Sequence, residues 1–161
     1  MTKVYLEAIS LIERLHRRFL DVVKSELDRI GVDDINNVQS LILFNIGDDD
    51  LTVGELTNRG YYLGTNVTYN LKKLVEYGYV LQERSARDRR SVRIRLSDKG
   101  KDLCSKMSET FTKQSETVAK SVMADEALAD CTKSLRNLER FWSGILAYGG
   151  GMPAIGATKA A

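Results

Sequence analysis

Residues 88–100 read Asp-Arg-Arg-Ser-Val-Arg-Ile-Arg-Leu-Ser-Asp-Lys-Gly and contain the pattern on which the fold prediction depends. Over residues 91–96, apolar side chains alternate strictly with two arginines, which is typical of a half-buried β-strand. A second short strand is predicted over residues 79–84, and the connecting residues 85–90 are rich in arginine. The two strands therefore form a hairpin with a basic tip.

A pair of short helices is predicted before this hairpin. Thr52 and Glu55 have the spacing of a capping box, which starts the first helix at Thr52. Glycines at positions 60 and 64 indicate a tight turn, after which Thr65 is the predicted N-cap of the second helix. The apolar residues of the second helix fall on one side, and its opposite side is fully polar. This arrangement is a helix-turn-helix.

Longer helices flank this region. Residues 3–30 are predicted to form an amphipathic helix that stops at Gly31, and Asp33 or Asp34 is the predicted cap of a core helix through Ile46. Two more helices are predicted over residues 97–123 and 125–148. Their apolar stripes are longer than a small core requires, so a second copy of the chain is the expected partner. The predicted fold class is mainly α with a small β-hairpin wing, in which a winged helix-turn-helix domain is embedded in a helical dimerisation domain.

Basic residues cluster in one part of the chain. Residues 55–100 contain ten basic and five acidic side chains, a local charge of +5, whereas the rest of the chain carries −3. A basic segment in a slightly acidic protein indicates a surface that binds a polyanion, most commonly nucleic acid. A solvated charged face without a partner is the alternative.

The composition excludes several classes of protein. The chain has 161 residues, 43% of them hydrophobic and 29% charged, as expected for one globular domain. Its apolar runs are far shorter than the roughly 18 residues needed to cross a bilayer, and no secretion signal is present, so we expect a cytoplasmic protein. Cys104 and Cys131 are too far apart for a metal knuckle and are expected to be reduced thiols. With one histidine and no catalytic motif, we expect no enzyme activity, metal site or cofactor.

Residues 88–100 resemble the wing signature of the MarR family of bacterial winged-helix transcription regulators, in which Asp, Arg and Arg precede a strand and Leu-Ser/Thr-x-x-Gly opens the next helix. Residues 51–56 and 67–80 are similar to the helix-turn-helix of that family. The resemblance implies a homodimeric regulator that binds double-stranded DNA at a pseudo-palindromic operator and responds to a small-molecule effector. Repression and activation are both open. The expected segments are an N-terminal dimerisation helix (1–32), the winged helix-turn-helix (33–100), C-terminal dimerisation helices (101–148) and a flexible tail (149–161).

The resemblance also assigns DNA-binding roles to two groups of residues. The groove-facing residues of the second helix are Thr65, Asn66, Thr68, Tyr69, Asn70 and Lys73. The wing residues are Arg87, Asp88, Arg89 and Arg90, with Asp88 expected to brace the tip by pairing with Arg89 or Arg90. Ordinary solvent exposure is the alternative for each of these side chains.

Other features concern regulation and departures from the family pattern. An effector cavity in this family often lies between the dimerisation helices and the winged domain, and the candidate lining residues are His16, Arg17, Phe19 and Tyr62.

Tyr69 stands where many members have arginine, and the wing is two residues shorter than usual and lacks its proline. The turn at residues 58–64 is similar to that of an alphaproteobacterial branch tied to envelope and stress genes. An architectural DNA-binding protein and a winged-helix protein-interaction adaptor are the alternative functions.

Overall fold

The computed structural model describes residues 1–60, 64–84 and 92–147. These residues form six helices and three short strands, which confirms the predicted fold class. In chain order the elements are α1 (Thr2–Arg29), α2 (Asn37–Ile46), β1 (Leu51–Thr52), α3 (Val53–Gly60), α4 (Gly64–Glu76), β2 (Val80–Arg84), β3 (Val92–Leu96), α5 (Asp98–Ser121) and α6 (Asp125–Ala147).

The chain divides into two compact units, Met1–Phe111 and Thr112–Ala161. The first unit has one hydrophobic core, to which α1 contributes Val23 and Leu27 and α5 contributes Leu103 and Met107. In the second unit, no residue of α6 is buried. The predicted tail, residues 149–161, lies outside the described residues.

The sheet has three antiparallel strands in the order β1-β3-β2. The predicted hairpin is confirmed: Val80 pairs with Leu96 at one end of β2, and Arg84 pairs with Val92 at the other. The sequence did not predict β1, in which Leu51 pairs with Ile94. Because β1 leads directly into α3, this pairing fixes the start of the helix-turn-helix against the wing strands.

Side-chain caps set the starts of α2 and α3. The predicted Thr52–Glu55 box is confirmed, since the Glu55 backbone N–H donates to Thr52 Oγ1 at 3.2 Å and the Thr52 N–H donates to the Glu55 carboxylate at 2.6 Å. The prediction of Asp33 or Asp34 as the cap of α2 was wrong. Asn36 is the cap, in a reciprocal box with Gln39, because the loop after α1 continues past both aspartates.

Helix α4 begins earlier than predicted but ends where predicted. Thr65 was predicted as the N-cap, but α4 already begins at Gly64, so Thr65 lies inside the first turn. The stop at Gly78 is confirmed: its φ of 77° lies in the left-handed region that glycine adopts without strain. The Tyr79 N–H reaches back to the Leu74 carbonyl at 2.9 Å and the Gly78 N–H to that of Val75 at 3.0 Å, which is a Schellman motif.

Asp34 has a role other than capping. Its carboxylate accepts hydrogen bonds from the Tyr79 hydroxyl at 2.7 Å and from Lys99 Nζ at 2.8 Å, and the Lys99 ammonium lies 3.9 Å from the centre of the Tyr79 ring. Burial alone would raise the pKa of Asp34, but the hydrogen bonds from Lys99 and Tyr79 outweigh it and hold the pKa below its ordinary value. This cluster joins the loop after α1, the end of α4 and the start of α5.

The junction between β3 and α5 is closely packed. Ser97 donates its backbone N–H to the Tyr79 carbonyl at 3.0 Å, and its hydroxyl oxygen accepts from the Gly100 N–H at 3.1 Å. A Cβ atom on Gly100 would lie only 2.3 Å from that same Tyr79 carbonyl oxygen. Glycine is therefore required at position 100 of the wing signature, because the backbone of Tyr79 lies too close to leave room for a Cβ atom.

Large apolar side chains are exposed on two of the long helices. On α1 they include Leu11 and Leu15, and on α6 they include Leu128 and Leu135, which are 42% and 46% exposed. No helix in the described part of the chain is long and apolar enough to cross a membrane. The exposed stripes are thus local features of otherwise polar helices.

Candidate nucleic-acid interface

Helix α4 has one buried side and one exposed side. Val67, Leu71 and Leu74 are buried and recur at the spacing of one helix face. The opposite side, called here the outer face of α4, consists of Thr65, Asn66, Tyr69, Lys72, Lys73 and Glu76. Tyr69, near the middle of that face, is 64% exposed. A polar face on the second helix of a helix-turn-helix has the shape and chemistry to enter the major groove of DNA.

Two of the predicted contact residues, Thr68 and Asn70, lie at the edges of the outer face. Thr68 lines a cavity of about 260 Å³ between α4 and the strands, together with Leu71 and Gln82. The Asn70 side chain donates to the Asn66 carbonyl at 2.8 Å. Both side chains therefore already have contacts within the free protein.

Lys73 is the most constrained cation of the outer face. Its ammonium donates to the Glu76 carboxylate at 2.9 Å and lies 5.7 Å from the centre of the Tyr77 ring. The hydrogen bond to Glu76 is the main cause that raises the pKa of Lys73, and the same hydrogen bond from the Lys73 ammonium lowers the pKa of Glu76. The predicted DNA contact by Lys73 must therefore compete with an internal partner.

Sequence reasoning omitted two outer-face residues. Lys72 and Glu76 are not among the predicted contact residues, yet both are exposed on the same side as Tyr69. No ion pair among the described residues involves Lys72. The helical spacing of the buried residues would have found both positions, because each lies about half a turn from the buried side.

Acidic partners neutralise much of the basic segment. Arg59 pairs with Asp49 at 2.7 Å, Arg93 with Asp50 at 3.0 Å, Arg95 with Glu83 at 3.0 Å and Lys99 with Asp34 at 2.8 Å. Three of these carboxylates come from outside residues 55–100. The charge that the folded surface offers to a polyanion is thus smaller than the count of +5 indicates. The predicted tip residues Arg87, Asp88, Arg89 and Arg90 lie outside the described residues, so their roles stay predictions.

Comparisons with known proteins agree with this geometry. A family model described as a winged helix DNA-binding domain matches residues 35–100. The exopolysaccharide II synthesis transcriptional activator ExpG of Rhizobium meliloti is 37% identical over 145 residues, which cover 90% of this chain and 75% of ExpG.

Two solved structures are each 25% identical to this chain and superpose on it with a TM-score of 0.70. One is Streptococcus pneumoniae FabT in complex with DNA, with 88% of this chain and 99% of the FabT chain covered. The other is a MarR transcriptional regulator from Methanosarcina mazei Go1, with coverages of 84% and 96%. The chain belongs to the MarR family. It is a DNA-binding transcriptional regulator of the MarR type, as the resemblance of residues 51–100 predicted.

The predicted effector residues of this MarR-family chain do not form one described pocket. His16 and Arg17 are exposed on α1, where Arg17 pairs with Glu13 at 2.5 Å. The ring of Phe19 lies 5.9 Å from that of Phe111. Tyr62 lies outside the described residues, and the four-residue set stays a prediction.

A different cavity lies between the end of α2 and the start of α5. It measures about 360 Å³, and its lining includes Phe44, Lys101 and Cys104 but not His16, Arg17 or Phe19. Burial, with a smaller contribution from nearby Asp48, raises the pKa of the Cys104 thiol to about 11. A thiol of this kind is largely protonated at neutral pH and is a poor redox sensor. Cys131 is exposed. The described residues contain no cluster of His, Cys, Asp and Glu suited to a metal ion.

Proposed function

We propose that this MarR-family protein is a homodimer in which each α4 enters the major groove at one half of a pseudo-palindromic operator. The observation that carries the proposal is the outer face of α4, which is polar and exposed directly after the capped helix α3. The FabT structure, whose fold this chain shares, was solved in complex with DNA. In a two-fold symmetric dimer the half-sites lie roughly 10 base pairs apart, or a multiple of that distance. The wing residues Arg87, Arg89 and Arg90 are assigned to the DNA backbone or the minor groove.

The test compares the two groups of predicted contacts on an operator and on a scrambled duplex of equal length, at one salt concentration. Asn66→Ala and Tyr69→Ala should each cost roughly 1–3 kcal/mol on the operator and much less on scrambled DNA, because groove contacts carry sequence preference. Arg89→Ala and Arg90→Ala should weaken both complexes alike, because phosphate contacts carry none. The reverse pattern would overturn this assignment of roles.

The salt dependence of binding separates DNA recognition from an adaptor function. The logarithm of affinity should fall linearly with the logarithm of salt concentration, with a slope of roughly −0.9 per phosphate contact. The protein's own upstream region is the first duplex to try. A flat response would favour the protein-interaction adaptor instead.

The exposed apolar stripes of α1 and α6 support the homodimer. Leu15 of α1 is 62% exposed and α6 buries no residue, so a second copy would remove apolar surface from water at both places. Leu135→Glu combined with Leu138→Glu should convert the dimer to a monomer and abolish operator binding. Ser134→Glu, which adds a charge at a polar exposed position of the same helix, is the matched control. Light scattering at micromolar concentration gives the oligomeric state, and a monomeric wild type would refute the dimer.

Regulation is the last part of the proposal. ExpG is named as an activator, which supports activation by the present protein, and a reporter fused to its target promoter should lose expression when the gene is deleted. The cavity beside Phe44 and Cys104 falls within the roughly 300–1,000 Å³ of small-molecule pockets and supports an effector. A ligand that binds only the folded protein raises its melting temperature, so a thermal-shift screen of small aromatic acids and stress metabolites is the direct test.

A further inference from the structure

The outer face of α4 contains one carboxylate among its cations. Glu76 lies on the same face as Tyr69 and Lys73, about two helical turns from Tyr69 and one from Lys73, and its side chain is 56% exposed. A DNA backbone brought against this face would meet a negative charge. A carboxylate at this position therefore opposes DNA binding.

Glu76 acts directly on the cation beside it. The Lys73 ammonium is held from two sides, by the Glu76 carboxylate at 2.9 Å and by the Tyr77 ring at 5.7 Å. The Lys73 side chain is only one-third exposed, although it starts from the outer face. A phosphate group can bind Lys73 only after it displaces Glu76 or shares the ammonium with it.

We propose that Glu76 is an affinity-limiting residue of the DNA-binding surface, which withholds Lys73 from phosphate and repels the backbone at the C-terminal end of α4. The inference rests on the proposed function, in which the outer face of α4 meets DNA. The competition acts through phosphate alone, so it lowers the affinity for operator and non-specific DNA together. A regulator limited in this way is released from DNA by a smaller further penalty, such as one that an effector adds.

The expected gain in DNA affinity follows from the solvent exposure of the Lys73–Glu76 ion pair. A solvent-exposed ion pair is weak, and a dimer contains two of them, so removing the carboxylate should raise the affinity of the dimer for DNA by about three- to ten-fold. If each freed Lys73 gains one phosphate contact, the salt slope of the dimer should steepen by about two.

The experiment measures operator and scrambled-duplex affinity of the full chain over a series of salt concentrations, for five variants, one of which is the Tyr69→Ala variant that tests the proposed function. Glu76→Gln should raise both affinities and steepen both slopes. Lys73→Met should lower both affinities, and in the double variant Glu76→Gln with Lys73→Met the gain from Glu76→Gln should be largely lost. Asp102→Asn is the matched control, because Asp102 forms an exposed helical ion pair with Lys106 at 2.7 Å and its change adds the same unit of charge on α5.

The outcomes separate this inference from the proposed function. If Lys73→Met and Tyr69→Ala both leave DNA affinity unchanged, α4 does not face DNA and the proposed function fails. If those variants weaken binding but Glu76→Gln gives no gain, only the role of Glu76 is refuted. A gain of equal size from Asp102→Asn would also overturn it, since the effect would then be one of net charge. Thermal unfolding of each variant shows whether the fold is intact.

Discussion

Replacement of Gly100 by alanine tests the close backbone approach at the start of α5. The added Cβ would lie 2.3 Å from the Tyr79 carbonyl oxygen and 3.3 Å from Leu96 Cδ2. The first neighbour is backbone, and its oxygen already accepts the Ser97 N–H at 3.0 Å, so it cannot turn aside as a flexible side chain would. The start of α5 must move away from the end of α4, or the hydrogen bond must break.

Three contributions set the expected change in the free energy of unfolding of Gly100→Ala. Alanine is favoured over glycine in a helix by about 1 kcal/mol. Overpacking costs about 1–3 kcal/mol, and loss of the Ser97 hydrogen bond adds about 1 kcal/mol. The free energy of unfolding should therefore fall by about 1–3 kcal/mol, and the melting temperature by roughly 2–4 °C for each kcal/mol in a chain of this size.

Gly54 provides the matched control. It lies in the first turn of α3, is exposed, and its added Cβ would come no closer than 4.0 Å to the nearest atom, Thr52 Oγ1. Gly54→Ala should leave stability unchanged or raise it by up to about 1 kcal/mol. Chemical denaturation of both variants beside the wild type gives the comparison, at one protein concentration because the chain is expected to dimerise. If Gly100→Ala proves as stable as Gly54→Ala, the steric argument is wrong.

The remaining predictions concern Asp34, Asn36 and Cys104. The pKa of Asp34 is lower in the folded protein than its ordinary value of 3.8, so ionised Asp34 stabilises the fold above that pH, and this stabilisation is lost as pH falls through the folded-state pKa. Asp34→Asn should therefore lower the free energy of unfolding at pH 7. The difference between variant and wild type should disappear in acid. Asn36→Ala should cost about 1 kcal/mol by removing the cap of α2, whereas Asn36→Asp should restore most of it. A thiol reagent at pH 7 should modify Cys104 much more slowly in the folded protein than after chemical unfolding, and its folded-state rate should keep rising as pH approaches 11; equal rates before and after unfolding would contradict the burial of Cys104.

Features set by neighbouring residues were predicted from the sequence. The Thr52–Glu55 box was found because both partners lie three residues apart, and the wing strands were found because β3 alternates over its whole length. The cap of α2 was missed because Asp33, Asp34 and Asn36 are all good N-caps, and the choice among them depends on where the loop after α1 ends.

Features set by distant residues could not be predicted in this way. Asp34 was predicted as a cap of α2, but its carboxylate instead accepts a hydrogen bond from Lys99, 65 residues further along the chain. The two residues of β1 are too few to show any period, and they become a strand only because β3 lies beside them. The same holds for the surface charge: the sequence counts Arg59 and Arg93 as free cations, but the fold places Asp49 and Asp50 against them.

The shared core of the first unit bears on how such regulators can be recombined. Val23 and Leu27 before the winged region and Leu103 and Met107 after it pack in the same hydrophobic cluster as the helix-turn-helix. A chimera that received only residues 35–100 from this chain would have to supply matching apolar side chains from the recipient's own flanking helices, and it would lack Asp34 as the partner of Tyr79 and Lys99. The compact unit Met1–Phe111 carries this core intact. Under the proposed function, exchange of outer-face residues of α4 between relatives should therefore transfer operator preference with less loss of stability than transplanting the winged region as a block.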